Sequence, residues 1–175
     1  KASLIFSIFR KYNTRVKCVL GTQYANGWVT KQVVRYATSV PDCIGVGFYF
    51  GNKGVVVSSL DEGIALCAQD LLNMGKRLIL HKMMAGDIPI IAYEAGQHVL
   101  IRDNKQLTTD INRSQKMEEL YDKMFEVWKE NSNELMCLYE SMSLPSKYGA
   151  WGIQEHEDDV ENPKYKAVQR WIGQQ

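Results

Sequence analysis

Four short apolar runs, residues 15–20, 43–50, 88–93 and 135–139, constrain this chain more than anything else in it. Their richness in apolar residues is the pattern of parallel strands covered on both faces, not of half-exposed ones. The stretches between them carry helical period, and three begin with start signals that act locally. Ser59-Leu60-Asp61-Glu62 fits a capping box, the serine oxygen taking a backbone amide and the glutamate reaching back to the serine amide. Asn162-Pro163 sets a capping residue before a first-turn proline, ahead of Tyr165, Val168, Trp171 and Ile172. Ser114 can cap a helix with Met117, Leu120, Tyr121, Met124 and Trp128 on one stripe. With the amphipathic opening of Leu4, Ile5, Ile8 and Phe9, the expected order is helix and strand in alternation, beginning and ending on a helix.

Alternation of this kind implies right-handed βαβ units, hence an α/β fold that is either a doubly wound sheet or a (β/α)8 barrel. The Gly-rich phosphate loop that open nucleotide-binding sheets place after their first strand is missing. Polar and aromatic residues instead follow each run: Gln23 and Asn26; Tyr49; Glu94 with Gln97 and His98; then Glu140, Ser141 and Trp151. Barrel enzymes build their sites from the C-terminal ends of strands, which favours the barrel. A complete barrel takes eight strands and about 250 residues, so this chain is expected to hold half of one. Its start on Lys1, directly in an amphipathic stretch, reads as a truncation.

Charge and cysteine use narrow the partners. Twenty-one basic residues, dispersed along the chain, stand against 20 acidic ones, which leaves no field to draw nucleic acid or an anionic membrane surface. No apolar run approaches the roughly 18 residues that span a bilayer. Cys18, Cys43, Cys67 and Cys137 fall in apolar segments without a close Cys or His partner and are expected as buried thiols, without zinc. His81, His98 and His156 are too scattered for a metal site, and no cofactor is implied. The acidic run 155–161 lacks the ligand pattern of a calcium loop and reads as a solvated loop. No lysine ends a strand, since Lys17 lies early in its run and Lys82 in a helical stretch, so Schiff-base chemistry is not expected.

Glu94 is the residue most suited to chemistry. It continues the apolar Ile90-Ile91-Ala92-Tyr93, and a carboxylate there is costly unless it is paired or used. One reading is a structural salt bridge, for instance with Arg102; the other is a nucleophile or general base. Gly96 allows a sharp turn beyond it, and Gln97 and His98 add hydrogen-bonding groups. Tyr49 is either a core aromatic whose hydroxyl finds a backbone partner or a site residue. Trp151, between glycines in a loop, offers a flat face to the C–H face of a sugar, whereas Trp28, Trp128 and Trp171 read as packing residues. Gln23 and Asn26 could bind sugar hydroxyls or simply form the turn. Glu140 reads as a loop or rim residue.

In order and spacing, Ala92-Tyr93-Glu94-Ala95-Gly96-Gln97-His98, Tyr148-Gly149-Ala150-Trp151-Gly152 and Pro163-Lys164-Tyr165 resemble the last units of cellulase-like glycoside hydrolases of clan A. The likeness runs over nearly the whole chain and is nearest to bacterial barrel proteins of that type. It implies the C-terminal half of a (β/α)8 TIM barrel over residues 1–175, strands five to eight, with the N-terminal half of the same barrel absent. It also implies cleavage of a β-linked oligo- or polysaccharide by retention, and a secreted or periplasmic location. Glu94 would be the nucleophile, Tyr49 the tyrosine that supports it and Trp151 the aromatic under a sugar ring, with Gln97, His98, Gln23 and Asn26 as substrate-binding candidates. A retaining glycosidase needs two carboxyl groups roughly 5–5.5 Å apart, and the clan's acid/base belongs to a strand before Lys1. The chain alone is therefore expected to be inactive and to aggregate or dimerise through open edges. A carbohydrate-binding barrel without catalysis, or a barrel using Glu94 as a general base, are the alternatives.

Overall fold

The computed structural model describes residues 1–51 and 53–174, with Lys53 described in its backbone only. Its helices are α1 Ala2–Tyr12, α2 Gly27–Tyr36, α3 Leu60–Ala85, α4 Lys105–Arg113, α5 Lys116–Asn131 and α6 Pro163–Ile172. Local chemistry accounts for where most of them start. Ser59 accepts from the Glu62 amide at 3.2 Å, but the Glu62 carboxylate returns one residue further back than a capping box would take it, to the amide and hydroxyl of Ser58 at 2.8 and 2.9 Å. Asn162 caps α6 through the Lys164 amide at 3.1 Å, with Pro163 in the first turn. Ser114 closes α4 and accepts from the Lys116 amide at 3.3 Å as α5 begins. Helix α4 is an addition to the expected alternation, capped by Asn104 on the Leu107 amide at 2.9 Å. The α1 helix forms as its period requires, yet buries none of its residues.

The strands are β1 Val19–Gly21, β2 Cys43–Phe50, β3 Lys53–Val55, β4 Ile90–Gln97 and β5 Leu100–Ile101. They form a three-stranded parallel sheet in the order β1-β2-β4 and a small parallel pair, β3 with β5. Residues 135–139 lie parallel against the free side of β4, where Met136 bridges Ala92 and the Cys137 and Tyr139 amides donate to the carbonyls of Ala92 and Ala95 at 2.9 Å. The fold is thus mixed α/β with parallel strands that neighbour one another in chain order. Two boundaries move from their expected places. A turn in which Asn13 accepts from the Arg15 amide delays β1 to Val19, and β4 runs on to Gln97, so that Glu94 lies inside the strand and not at its end.

One face of the sheet is fully covered and the other only in part, where cover on both was expected. Along β2, Ile44, Val46, Phe48 and Phe50 are fully buried, while on the other face Gly45 is buried and Cys43, Gly47 and Tyr49 are half-buried. The buried face meets α3 and α5: Phe48 packs edge-on to Tyr24 and Trp128 with ring centroids 5.3 and 4.9 Å apart, and Phe50 meets Tyr121 at 5.6 Å. Phe125 extends this cluster to Trp171 of α6, stacked at 5.1 Å. Two packing expectations fail: Trp28 is 64% exposed on α2, and Cys137 is exposed where it edges β4. All four thiols are free, with Cys18 and Cys67 buried. The 155–161 run is a solvated loop, exposed at residues 156–158, 160 and 161 and tied down at its two half-buried carboxylates. Glu155 holds Arg113 at 2.6 and 2.7 Å, and Asp159 accepts from the Glu155 amide and from Asn162. Among the described residues no helix is long and apolar enough to cross a membrane.

Candidate functional site

The register of β2 with β4 creates the site. Val46 pairs with Ala92 and Gly47 with Glu94, leaving Tyr93 as the extra residue of a bulge. A bulge breaks strict alternation and re-aims the side chains beside it. Tyr93 and Glu94 consequently share the open face of the sheet, where alternation alone would have sent them to opposite sides. Their meeting point is Gly47: a Cβ there would lie 3.2 Å from Glu94 Oε1, 3.6 Å from the Tyr49 ring and 3.6 Å from the Tyr93 hydroxyl. At Gly45 a Cβ would meet the Tyr93 ring at 3.2 Å. The two glycines of β2 are therefore the floor on which Tyr93 and the Glu94 carboxylate rest.

The Tyr49 ring and the Glu94 carboxylate meet over Gly47. Burial first, then the charge of Glu94 and hydrogen bonding to it, push the phenol above its ordinary range. None of the ion pairs among the described residues includes Glu94, and Arg102 is exposed. Tyr93, the extra residue of the bulge, is 51% exposed beside it.

An aromatic wall rises from this floor. His98, whose amide donates to the Phe50 carbonyl at 2.7 Å, stands with its ring 5.8 Å from Tyr49 and 5.5 Å from Trp151; the Tyr139 ring lies edge-on to Trp151 at 6.0 Å. Trp151 is half-buried by these contacts. Its flanking glycines are dictated by space. Gly149 has φ +151 and would place a Cβ 2.8 Å from the indole, and a Cβ at Gly152 would fall 2.5 Å from backbone atoms of Ser143 and Gln154.

The remaining candidates are placed differently. Gln97 is buried and spends its amide internally, Nε2 donating to the Ala150 carbonyl at 2.5 Å and Oε1 accepting from the Val99 amide at 2.8 Å. It supports the Trp151 loop from beneath. Gln23 and Asn26 are exposed in the loop after β1, where Asn26 caps α2 on the Trp28 amide and donates its own amide to the Gln23 carbonyl at 3.0 Å. That is the turn-forming role. The histidines serve separate places: His81 is buried in α3, its Nε2 donating to the Tyr24 carbonyl at 2.8 Å and its Nδ1 accepting from Thr30 at 2.7 Å, while His156 is exposed in the acidic loop. No group of His, Cys, Asp and Glu among the described residues could hold a metal ion. Tyr93 and Tyr139 join the site without having stood out in the sequence. The Gly-x-Gly of β2 was the available signal for Tyr93, because glycines on one strand face leave room for large side chains on the next.

No family model and no curated protein matches this chain.

Proposed function

We propose that this chain carries the nucleophile side of a retaining β-glycosidase in the C-terminal half of a (β/α)8 barrel of the cellulase-like clan A type. The observation that carries the reading is the convergence of Glu94, Tyr49 and Tyr93 over Gly47, beside the wall of His98, Trp151 and Tyr139. The barrel part draws support from topology: β1, β2, β4 and residues 135–139 lie side by side in chain order, without the reversal at which a doubly wound sheet binds its ligand.

In this reading one oxygen of Glu94 accepts from the Tyr49 phenol while the other attacks the anomeric carbon of a β-linked sugar. The glycosidic C–O bond breaks, and the leaving oxygen takes a proton from an acid/base carboxyl on a strand outside this chain. Water then attacks the glycosyl ester, the acid/base takes its proton, and Glu94 is released. Trp151 and Tyr93 present flat surfaces on which the C–H faces of neighbouring sugar rings can lie.

The test is to expose the protein complete with its preceding strands to a fluorinated aryl β-glycoside and map the adduct by peptide mass spectrometry. An adduct on Glu94 is expected. Turnover of aryl β-glycosides without that adduct overturns the nucleophile role, and oligosaccharide binding without any turnover assigns the site to a carbohydrate-binding barrel. The 175-residue chain alone is expected to hydrolyse no aryl β-glycoside.

A further inference from the structure

Lys164 lies in the first turn of α6 and is only 3% exposed. A lysine nitrogen so deeply placed is costly unless it is hydrogen-bonded. Its partners are specific. Nζ donates to the Ala150 carbonyl at 2.8 Å and to Asn112 Oδ1 at 3.3 Å. The same Ala150 carbonyl takes the Gln97 amide at 2.5 Å. Asn112 is anchored in turn to the Thr108 carbonyl at 2.9 Å, and Thr108 Oγ1 accepts from the Ile101 amide at 2.9 Å. The end of β4, β5, α4 and α6 therefore meet in one buried polar network, and the group on which two of its donors converge is the carbonyl immediately before Trp151.

We propose that Lys164 is a positioning residue: with Gln97 it clamps the Ala150 carbonyl and so fixes the loop that holds Trp151 in the wall of the candidate site. One further observation points the same way. Glu155 and Asp159 face Lys164 electrostatically but spend their carboxylates on Arg113, Asn162 and the Glu155 amide, leaving Nζ to the carbonyl. The clamp is independent of what the site binds; only its effect on sugar affinity rests on the proposed function.

Hydrogen exchange on the protein complete with its preceding strands, compared between wild type and Lys164→Met, reads the clamp directly. Exchange of the amides in residues 149–154 is expected to quicken by roughly tenfold relative to those of β2, the factor carried by one lost hydrogen bond. Equal change in both segments, or none, overturns the proposal. Gln97→Met removes the other donor to the same carbonyl and is read identically, so a Lys164 variant that fails to fold does not end the test. Lys164→Gln retains an N–H donor and is expected to recover part of the protection; no recovery beyond Lys164→Met counts against the clamp. Titration of the complete barrel with cellopentaose separates the two ideas. Binding weakened by Lys164→Met in step with faster loop exchange supports both, whereas a loosened loop in a protein that binds no cellopentaose upholds the clamp and removes the sugar-binding reading.

Discussion

Burial pulls the Lys164 ammonium from an ordinary value of 10.5 down to about 7, with Glu155 and Asp159 holding it up against a further fall. Between those two values the unfolded chain binds a proton that the folded chain does not, so stability rises with pH across the window from about 7 to 10.5 and is level below it. Each pH unit is worth about 1.4 kcal/mol, so the full span of roughly 3.5 units amounts to about 5 kcal/mol. Lys164→Met keeps the stem of the side chain and abolishes the proton. The raised thiols of Cys43 and Cys67 and the raised phenols of Tyr24, Tyr49 and Tyr121 act with the opposite sign, losing stability as pH rises, but they are common to both proteins and cancel in the difference. Urea unfolding of both proteins at intervals from pH 6.5 to 9.5 provides the comparison. Wild type should gain on the variant by about 2–3 kcal/mol between pH 7.5 and 9.5, and the gap should be constant below pH 7. A gap that does not move with pH would refute the reasoning, because it would mean that the network keeps the ammonium charged throughout.

Three further outcomes follow from the geometry. In Glu94→Gln the Tyr49 phenol loses the charge and the carboxylate bond that hold it up while its burial remains, so it should ionise at lower pH than in wild type, as read by difference absorbance against a Tyr49→Phe control. Phe48→Ala empties the fully buried contact between β2, Tyr24 and Trp128 and should destabilise the fold by about 3–5 kcal/mol in chemical denaturation. Gly149→Ala forces a side chain into positive φ against the indole and should cost about 1–3 kcal/mol, with altered fluorescence from Trp151 as the marker that the loop has moved.

Much of the scaffold follows from short-range chemistry. Ser59, Asn162 with Pro163 and Asn26 act within one helical turn, so where their helices begin is set locally, and the apolar stripe marks α5. The runs at 43–50 and 88–93 likewise mark β2 and most of β4. The site residues Glu94, Tyr49, His98 and Trp151 stand together, but their grouping required pairing partners far apart in the chain. Nothing within residues 88–97 reveals that Tyr93 is a bulge residue, because a bulge is a property of the register between β2 and β4. The same holds for Gln97, whose amide reads as a ligand group until the fold brings Ala150 over it, and for Lys164, an ordinary first-turn lysine until Asn112 and Ala150 enclose it. Period and capping, which act within a turn or a strand, determined which elements exist. Register, burial and the closing of loops over one another, which act across the whole sheet, decided which side chains share the face with Glu94.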